Sequence, residues 1–171
     1  MSVEEHKKNR KVVNCMIITI SDTRTKKTDK SGNLMAELLD NAGHKVKYRE
    51  IIKDDRNEIK KIIEAGCENP EVDVVITNGG TGIAHRDVTI ESVKEMLQKE
   101  MPGFGEIFRL LSYQEDIGSA AILSRAIAGV RKDTAIFSTP GSSGAVRLAM
   151  VKLILPELSH IVHEIKKDIK K

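Results

Sequence analysis

Two hydrophobic patterns alternate along this chain. Residues 12–20 and 72–76 are nearly unbroken apolar runs rich in Val and Ile, and residues 134–138 form a shorter segment of the same kind. Between such runs, apolar residues recur at helical spacing, as at Leu34 and Leu38. Unbroken apolar runs are typical of strands buried on both faces, as in parallel sheets. The pattern therefore predicts helices that alternate with the strands of a mostly parallel sheet.

The predicted elements follow the order β-α-β-α-β-α-α-β-β-α. This order predicts a three-layer α/β/α sandwich with a mostly parallel central sheet, in which the two late strands form a hairpin at the sheet edge. The elements are strands at 12–20, 45–52, 72–76, 122–130 and 134–138, and helices at about 31–42, 55–68, 89–98, 104–111 and 146–165, the last interrupted near Pro156.

Polar residues at the predicted helix starts have a local interpretation. Asp29 or Ser31 can cap the first helix, Asp54 or Asp55 the second, and Thr89 the third, because short oxygen-bearing side chains accept hydrogen bonds from free N–H groups there. Capping alone is a sufficient explanation for an aspartate at a strand–helix junction. A functional role for any of these residues therefore needs a second argument.

Length and composition predict one domain. The 171 residues suffice for one full core, so we expect a single domain over residues 11–171 after a flexible basic tail at 1–10. Aromatic residues make up 3% of the chain, which argues against a stacking platform for single-stranded nucleic acid. The net charge is +3, with the excess near both ends. We interpret these basic ends as solvated tails, and a nucleic-acid-binding module is the weaker alternative.

The compartment follows from what the sequence lacks. Cys15 and Cys67 have no spacing that indicates a disulfide and are interpreted as buried thiols in a reducing environment. The first residues have no apolar signal-peptide core, and no apolar run is long enough to span a membrane. We therefore expect a cytoplasmic protein without membrane contact.

The stretch 72–89 contains the strongest candidate site. Its strand is followed by Gly79, Gly80 and Gly82, then by Arg86 and Asp87. The spacing matches neither the dinucleotide-binding fingerprint G-x-G-x-x-G nor the phosphate loop G-x-x-x-x-G-K-[ST]. The glycines alone are explained equally well by a tight turn, and Asp87 by a pair with Arg86 or a helix cap.

The position of four loops favours function. Segments 21–24, 53–56, 78–87 and 139–144 each follow a predicted strand, so the fold would bring them to one edge of the sheet. Several carry carboxylates and two carry glycines; backbone N–H groups suit phosphate oxygens, and carboxylates suit Mg²⁺. Together the loops predict a site for a nucleotide or phosphate.

Other chemistry is weaker. Ser142 and Ser143 lack the glycine-flanked elbow of serine hydrolases. His160 and His163 lie one helical turn apart, but no third ligand is spaced to complete a metal site. His85 lies in the main loop and is a candidate substrate contact.

Several motifs carry a resemblance to a known family. The chain contains T-N-G-G-T-G at 77–82 followed by R-D-V-T at 86–89, with I-T-I-S-D, D-K-S-G and I-I-K-D-D upstream and M-P-G-F-G-E, L-S-R-A-I-A-G-V and T-P-G-S downstream. Over residues 12–165 it resembles the molybdenum-cofactor biosynthesis (MoaB/MogA) family, and most of all its MoaB branch.

The resemblance implies a function and an assembly. Members of the family share a three-layer fold and bind molybdopterin, and the catalytic ones transfer AMP from Mg²⁺-ATP to its terminal phosphate. A separate molybdate-insertion protein acts downstream. The resemblance also implies a homotrimer or a hexamer made of two trimers. A non-catalytic molybdopterin-binding or scaffold protein of the same pathway is the alternative.

The resemblance also implies site residues. Asp54 and Asp87 match the catalytic aspartates of the family, and we interpret them as Mg²⁺ or orienting ligands because a phosphate nucleophile needs no strong base. The candidate substrate- and nucleotide-binding residues are Ser21, Asp22, Asp29, Ser31, Gly79, Gly80, Thr81, Gly82, Arg86, Pro140, Gly141 and Ser142. One departure is the loop S-T-P-G-S-S at 138–143, where catalytic relatives often carry N-x-P-G-N/Q-P.

Overall fold

A six-stranded sheet forms the centre of the molecule. The structure, a computed structural model, describes Glu5 and residues 11–169, so most of the predicted tail at 1–10 lies outside the described residues. The sheet order is β2-β1-β3-β6-β5-β4, and β5 alone runs against the other five strands. The strands are β1 Asn14–Ile20, β2 Lys45–Ile52, β3 Val74–Asn78, β4 Lys99–Glu100, β5 Ile127–Arg131 and β6 Thr134–Thr139.

Within residues 11–169, six α-helices cover the sheet. They are α1 Lys30–Asn41, α2 Arg56–Glu68, α3 Thr89–Met96, α4 Pro102–Glu115, α5 Ser143–Ala149 and α6 Leu155–Lys166. A 3₁₀ helix occupies Gly118–Leu123. A π-helical segment, Met150–Ile154, joins α5 to α6 and marks the interruption that Pro156 predicted.

Each face of the sheet has its own apolar core. Successive residues of a strand point to opposite faces, so Ile17 packs with α1, α4, α5 and α6, whereas Ile18 packs with α2 and α3. Phe137 and Ile136 on β6 divide in the same way. Both faces are covered, which explains the unbroken apolar runs and confirms the three-layer fold.

The prediction of an edge hairpin was partly wrong. β5 and β6 do pair antiparallel, but β6 lies inside the sheet between β3 and β5. At the edge next to β5, the outermost strand is the two-residue β4, which is too short to show a hydrophobic pattern. Residues 122–126 belong to no strand, because Ile122 and Leu123 lie on the exposed 3₁₀ helix.

Capping resolves two of the alternatives. Asp29 caps α1 by accepting from the N–H of Gly32, and Asp55 caps α2 by accepting from the N–H of Glu58. Asp54 is therefore not needed as a cap. The prediction for Thr89 was wrong, since Val88 precedes α3 without a side-chain cap and the Thr89 hydroxyl donates to the Gly79 carbonyl at 3.1 Å.

The cysteines are buried free thiols, as predicted. Burial raises the pKa of Cys15 to about 12 and that of Cys67 to about 11, so neither thiol is reactive at neutral pH. Among the described residues, every helix is too short or too polar to cross a lipid bilayer.

Candidate functional site

The four loops predicted to converge do meet at the carboxyl edge of the parallel strands. The N–H of Ser21, after β1, donates to the Ile52 carbonyl at 2.8 Å, which joins the ends of β1 and β2. The N–H of Gly79, after β3, donates to the Thr139 carbonyl of β6 at 3.1 Å. Open α/β sheets bind ligands at this edge, so the loops form a candidate site.

Three aspartates concentrate negative charge at this edge. The N–H of Asp54 donates to Oδ1 of Asp22 at 3.2 Å. Partial burial raises the pKa of Asp54, and the charges of Asp22 and Asp87 raise it further. Because Asp54 is destabilised in its charged form, the cluster favours the approach of a cation.

Arg86 does not pair with Asp87. Its Nε donates to Oδ2 of Asp22 at 2.7 Å, which lowers the pKa of Asp22. Asp87 instead accepts from the N–H of Ala84 at 2.9 Å inside the loop. Neither local interpretation of Asp87 therefore holds, since it is neither the partner of Arg86 nor a cap of α3.

The glycines do more than make a tight turn. Gly79 has a φ of +97°, and a Cβ there would lie 2.2 Å from the Ile20 carbonyl oxygen. Gly80 has a φ of +67°, and a Cβ there would lie 2.8 Å from Oδ1 of Asp54. Because both positions need a left-handed backbone and a close approach, the glycines let the loop pack directly against β1 and Asp54.

A Cβ at Gly82 would lie 2.5 Å from Oδ2 of Asp87. The loop backbone thus wraps around the Asp87 carboxylate at close range. Thr81 is buried and its carbonyl accepts from Nε of Arg125, so Thr81 supports the loop from inside the protein.

The second glycine loop packs on the first. A Cβ at Gly141 would lie 3.1 Å from Cα of Gly79. The Gly141 carbonyl accepts from the Ser31 hydroxyl and from Nη2 of Arg24 at 3.0 Å, and Pro140 joins this contact to β6. The Ser142 hydroxyl caps α5, so in this structure it is engaged with the protein backbone.

Asp29 lies under the site and is fully engaged with protein donors. It is 1% exposed and accepts from the Thr19 hydroxyl at 2.8 Å, from Arg49 at 3.3 Å and from the N–H of Gly32 at 3.0 Å. A cavity of about 240 Å³ beside it is lined by Lys26 and Arg49. Asp29 therefore differs from Asp54 and Asp87, which are partly exposed.

Two residues at this edge were missed by sequence reasoning. Asn78, at the end of β3, donates to the Thr19 hydroxyl at 3.1 Å, and among the described residues its Oδ1 is a buried atom without a hydrogen-bond partner. Arg125 donates to the carbonyls of Thr81 and Gly82 at 2.9 and 2.6 Å. The motifs that contain them, T-N-G-G and L-S-R-A, were the available signals, but neither spacing indicates a contact across the chain.

The carboxylates fit a magnesium ion that carries other ligands. Across Glu5 and residues 11–169, no three His, Cys, Asp or Glu side chains form a ready metal cage. Mg²⁺ often takes only one or two protein carboxylates and completes its shell with water and substrate phosphate oxygens. Asp54 and Asp87 would supply carboxylates of that kind, and partial burial, followed by the charges of Asp22 and Asp87, raises the pKa of Asp54.

The comparisons with known proteins agree with the fold. The family model described as "Probable molybdopterin binding domain" matches residues 16–160. Molybdenum cofactor biosynthesis protein B of Bacillus subtilis is 60% identical over 169 residues, which cover 98% of this chain and 99% of that protein. The protein of the same name from Bacillus cereus is 62% identical, with 98% and 100% covered.

Solved structures lead to the same family. A crystal structure of molybdenum cofactor biosynthesis protein B superposes with a TM-score of 0.91 at 61% identity, covering 92% of this chain and 98% of that one. The tungsten cofactor synthesizing protein MoaB from Pyrococcus furiosus superposes with a TM-score of 0.81 at 37% identity, covering 91% and 98%. The chain therefore belongs to the molybdopterin-binding domain family of molybdenum-cofactor biosynthesis.

Proposed function

We propose that this protein is a molybdopterin adenylyltransferase. A terminal phosphate oxygen of molybdopterin attacks the α-phosphorus of ATP. The bond between the α-phosphorus and the oxygen that bridges the α- and β-phosphates breaks, and pyrophosphate leaves. The observation that supports this most is the position of two carboxylates against the glycine loop at the sheet edge: a Cβ at Gly80 would lie 2.8 Å from Oδ1 of Asp54, and one at Gly82 would lie 2.5 Å from Oδ2 of Asp87. We place the reaction in the cytoplasm, where the downstream partner would be a molybdate-insertion protein.

This reaction requires the protein to position the two reactants and to offset their negative charge. Both reactants are phosphates, so their mutual repulsion is the main obstacle and no strong base is required. Asp54 and Asp87 would hold Mg²⁺, which supplies the positive charge that offsets this repulsion. Arg86 is 65% exposed beside Asp22 and can turn its guanidinium toward a phosphate oxygen. The backbone N–H groups of the glycine loop add fixed dipoles.

A molybdopterin-binding protein without turnover is the second candidate. The feature that favours it is the loop at 138–143, where Ser142 caps α5 and the Gly141 carbonyl is bound by Arg24 and Ser31. These contacts engage the loop with the rest of the protein. They lie at positions where catalytic relatives often carry other residues. Such a protein would bind the pterin and show no dependence on ATP.

One assay separates the two candidates. Purified protein is incubated with molybdopterin, ATP and Mg²⁺, and the products are read by mass spectrometry. Adenylylated molybdopterin together with pyrophosphate is the expected result. A folded protein that binds molybdopterin and yields no adenylylated product would establish the binding role instead.

Asp54→Asn is expected to raise the melting temperature while it weakens Mg²⁺ binding. The folded pKa of Asp54 is raised, so the stability linked to this carboxyl is present at low pH and is lost as pH rises through that raised pKa. At pH 7 the charge of Asp54 therefore destabilises the fold. The neutral amide removes both the cost of burying this charge and its repulsion by Asp22 and Asp87. We expect a gain of about 1–2 °C, measured by differential scanning fluorimetry.

The pH and the metal supply the controls for Asp54→Asn. The gain should shrink as pH falls below the raised pKa, because the wild-type carboxyl is then also uncharged. Added Mg²⁺ should stabilise the wild type more than the variant. A variant that is less stable at pH 7, or that gains as much from Mg²⁺, would contradict this role.

We also propose that the protein assembles as a homotrimer, or as a hexamer of two trimers. Large exposed apolar side chains on α4, on the 3₁₀ helix and between them support this; they are Ile107, Leu110, Ile117, Ile122 and Leu123. Exposed apolar side chains concentrated in one part of a chain are typical of association sites. Sedimentation should show a trimer or hexamer for the wild type and a smaller species for Ile122→Asp, whose site is 85% exposed. A monomeric wild type would disprove the assembly.

A further inference from the structure

Arg125 holds the glycine loop from the side of the 3₁₀ helix and β5. Its Nε donates to the Thr81 carbonyl at 2.9 Å, and its Nη2 donates to the carbonyls of Gly82 at 2.6 Å and Asp87 at 3.4 Å. One guanidinium thus binds both ends of the loop segment 81–87. The planar guanidinium of arginine carries several N–H donors and can bind these three carbonyls at once, whereas the single ammonium group of lysine cannot.

These bonds orient two peptide planes. In a trans peptide the carbonyl of one residue and the N–H of the next point in opposite directions. Because the carbonyls of Thr81 and Gly82 face Arg125, the N–H groups of Gly82 and Ile83 face away from it. In the described part of the chain neither N–H donates to another protein group.

The loop closes on Asp87 by a separate contact. The carboxylate of Asp87 accepts from the N–H of Ala84 at 2.9 Å and lies against Gly82. Arg125 binds the main-chain carbonyl of the same aspartate. The position of the Asp87 carboxylate therefore depends on the loop conformation that Arg125 holds.

Glu91 forms an ion pair with the guanidinium on the side away from the loop. It lies in the first turn of α3, and its carboxylate accepts from Nη1 of Arg125 and, at 3.4 Å, from Nη2, which lowers the pKa of Glu91. Glu91 has no hydrogen bond to the loop itself in the described residues. The Arg125–Glu91 pair can therefore be weakened without removing the bonds from Arg125 to the loop.

We propose that Arg125 is a positioning residue for the transfer site. It fixes the glycine loop so that the N–H groups of Gly82 and Ile83 are free for the oxygens of a phosphate, and so that Asp87 keeps its place in the cluster with Asp54. The assignment rests on the proposed adenylyl transfer for its chemistry. The contact between Arg125 and the loop stands independently of it.

Two variants test the proposal, Arg125→Lys and Glu91→Gln. Arg125→Lys keeps the positive charge but cannot bind the three carbonyls together. We expect faster hydrogen exchange at the amides of Ala84 and Asp87, which are bonded to each other's residues within the loop, and a kcat for adenylyl transfer that falls about 10- to 100-fold with little change in the KM for ATP. Glu91→Gln removes the ion pair and should leave both exchange and kcat within about twofold of wild type.

The readouts separate the possible failures. Unchanged exchange in Arg125→Lys would overturn the clamp, and faster exchange with an unchanged kcat would overturn the positioning role. A Glu91→Gln variant that loses as much activity as Arg125→Lys would show that the ion pair, and not the clamp, matters. If the wild type has no transferase activity, the proposed function fails, and the exchange measurement still decides whether Arg125 holds the loop.

Discussion

Asp87→Asn is expected to abolish adenylyl transfer while the protein stays folded. The substitution removes one of the two charges that would hold Mg²⁺ between the reacting phosphates. Loss of a group that stabilises developing charge in a preorganised site costs about 100- to 1,000-fold in rate, and loss of a metal ligand belongs at the upper end of that range. The measurement is the initial rate of formation of adenylylated molybdopterin at saturating ATP.

The fold should tolerate this change because the amide preserves the local contact. The Asn oxygen can accept the Ala84 N–H that Oδ2 of Asp87 accepts at 2.9 Å in the wild type. The melting temperature should therefore stay close to that of the wild type. Full turnover by Asp87→Asn would remove this residue from the mechanism.

Asp55→Asn is the matched control for Asp87→Asn. Asp55 is an exposed neighbour of Asp54 in the same loop, and its carboxylate caps α2 by accepting from the N–H of Glu58. Since asparagine also caps helices well, the change should cost less than about 1 kcal/mol and leave the rate unaltered. Loss of turnover in both variants would indicate a general effect of charge on the site.

Gly79→Ala is expected to cause the largest loss of stability of any single methyl addition in the site. The added Cβ would lie 2.2 Å from a main-chain oxygen at Ile20, and the φ of +97° is unfavourable for alanine. Because neither β1 nor β3 can move without breaking sheet hydrogen bonds, we expect a loss of about 3 kcal/mol or more. For a chain of this size that corresponds to a fall in melting temperature of about 6–12 °C.

Gly43→Ala separates the collision from the backbone strain. Gly43 ends α1 with a φ of +84°, and no atom lies within 4 Å of a Cβ built there. Its alanine variant therefore carries only the strain of a left-handed backbone, about 1–2 kcal/mol. Equal losses in the two variants, measured by thermal or urea unfolding, would show that the contact with Ile20 does not matter.

The sheet shows which predictions local pattern can support. Runs such as 12–20 are apolar almost throughout because the strand within them, Asn14–Ile20, is buried on both faces, so the pattern reports the environment directly. β4 has two exposed residues and its pairing depends only on its neighbour β5, so no local pattern marks it. For the same reason, the hairpin was wrongly predicted to lie at the sheet edge. The sequence of β6 does not show that β6 also pairs with β3.

The aspartates show the same limit at the site. Asp54 and Asp55 are equivalent as caps by sequence, and the helix geometry selects Asp55 while Asp54 turns toward Asp22 and Asp87. Asp29 and Asp54 each precede a predicted helix, and both were predicted as site residues. In the structure, Asp29 is surrounded by Arg49, Thr19 and the start of α1. Burial and partners distinguished them, and both depend on contacts between distant segments.

Local sequence was enough for the layers, the order of most elements, the helix end at Gly43 and the family, because spacing and short motifs are properties of neighbouring residues. Tertiary structure alone decided that Asp87 is neither a cap nor the partner of Arg86, and that Arg125 binds a loop some forty residues earlier in the chain. The physical reason is that charge and hydrogen bonds act through space. Their effect on a side chain is set by which segments the sheet brings together.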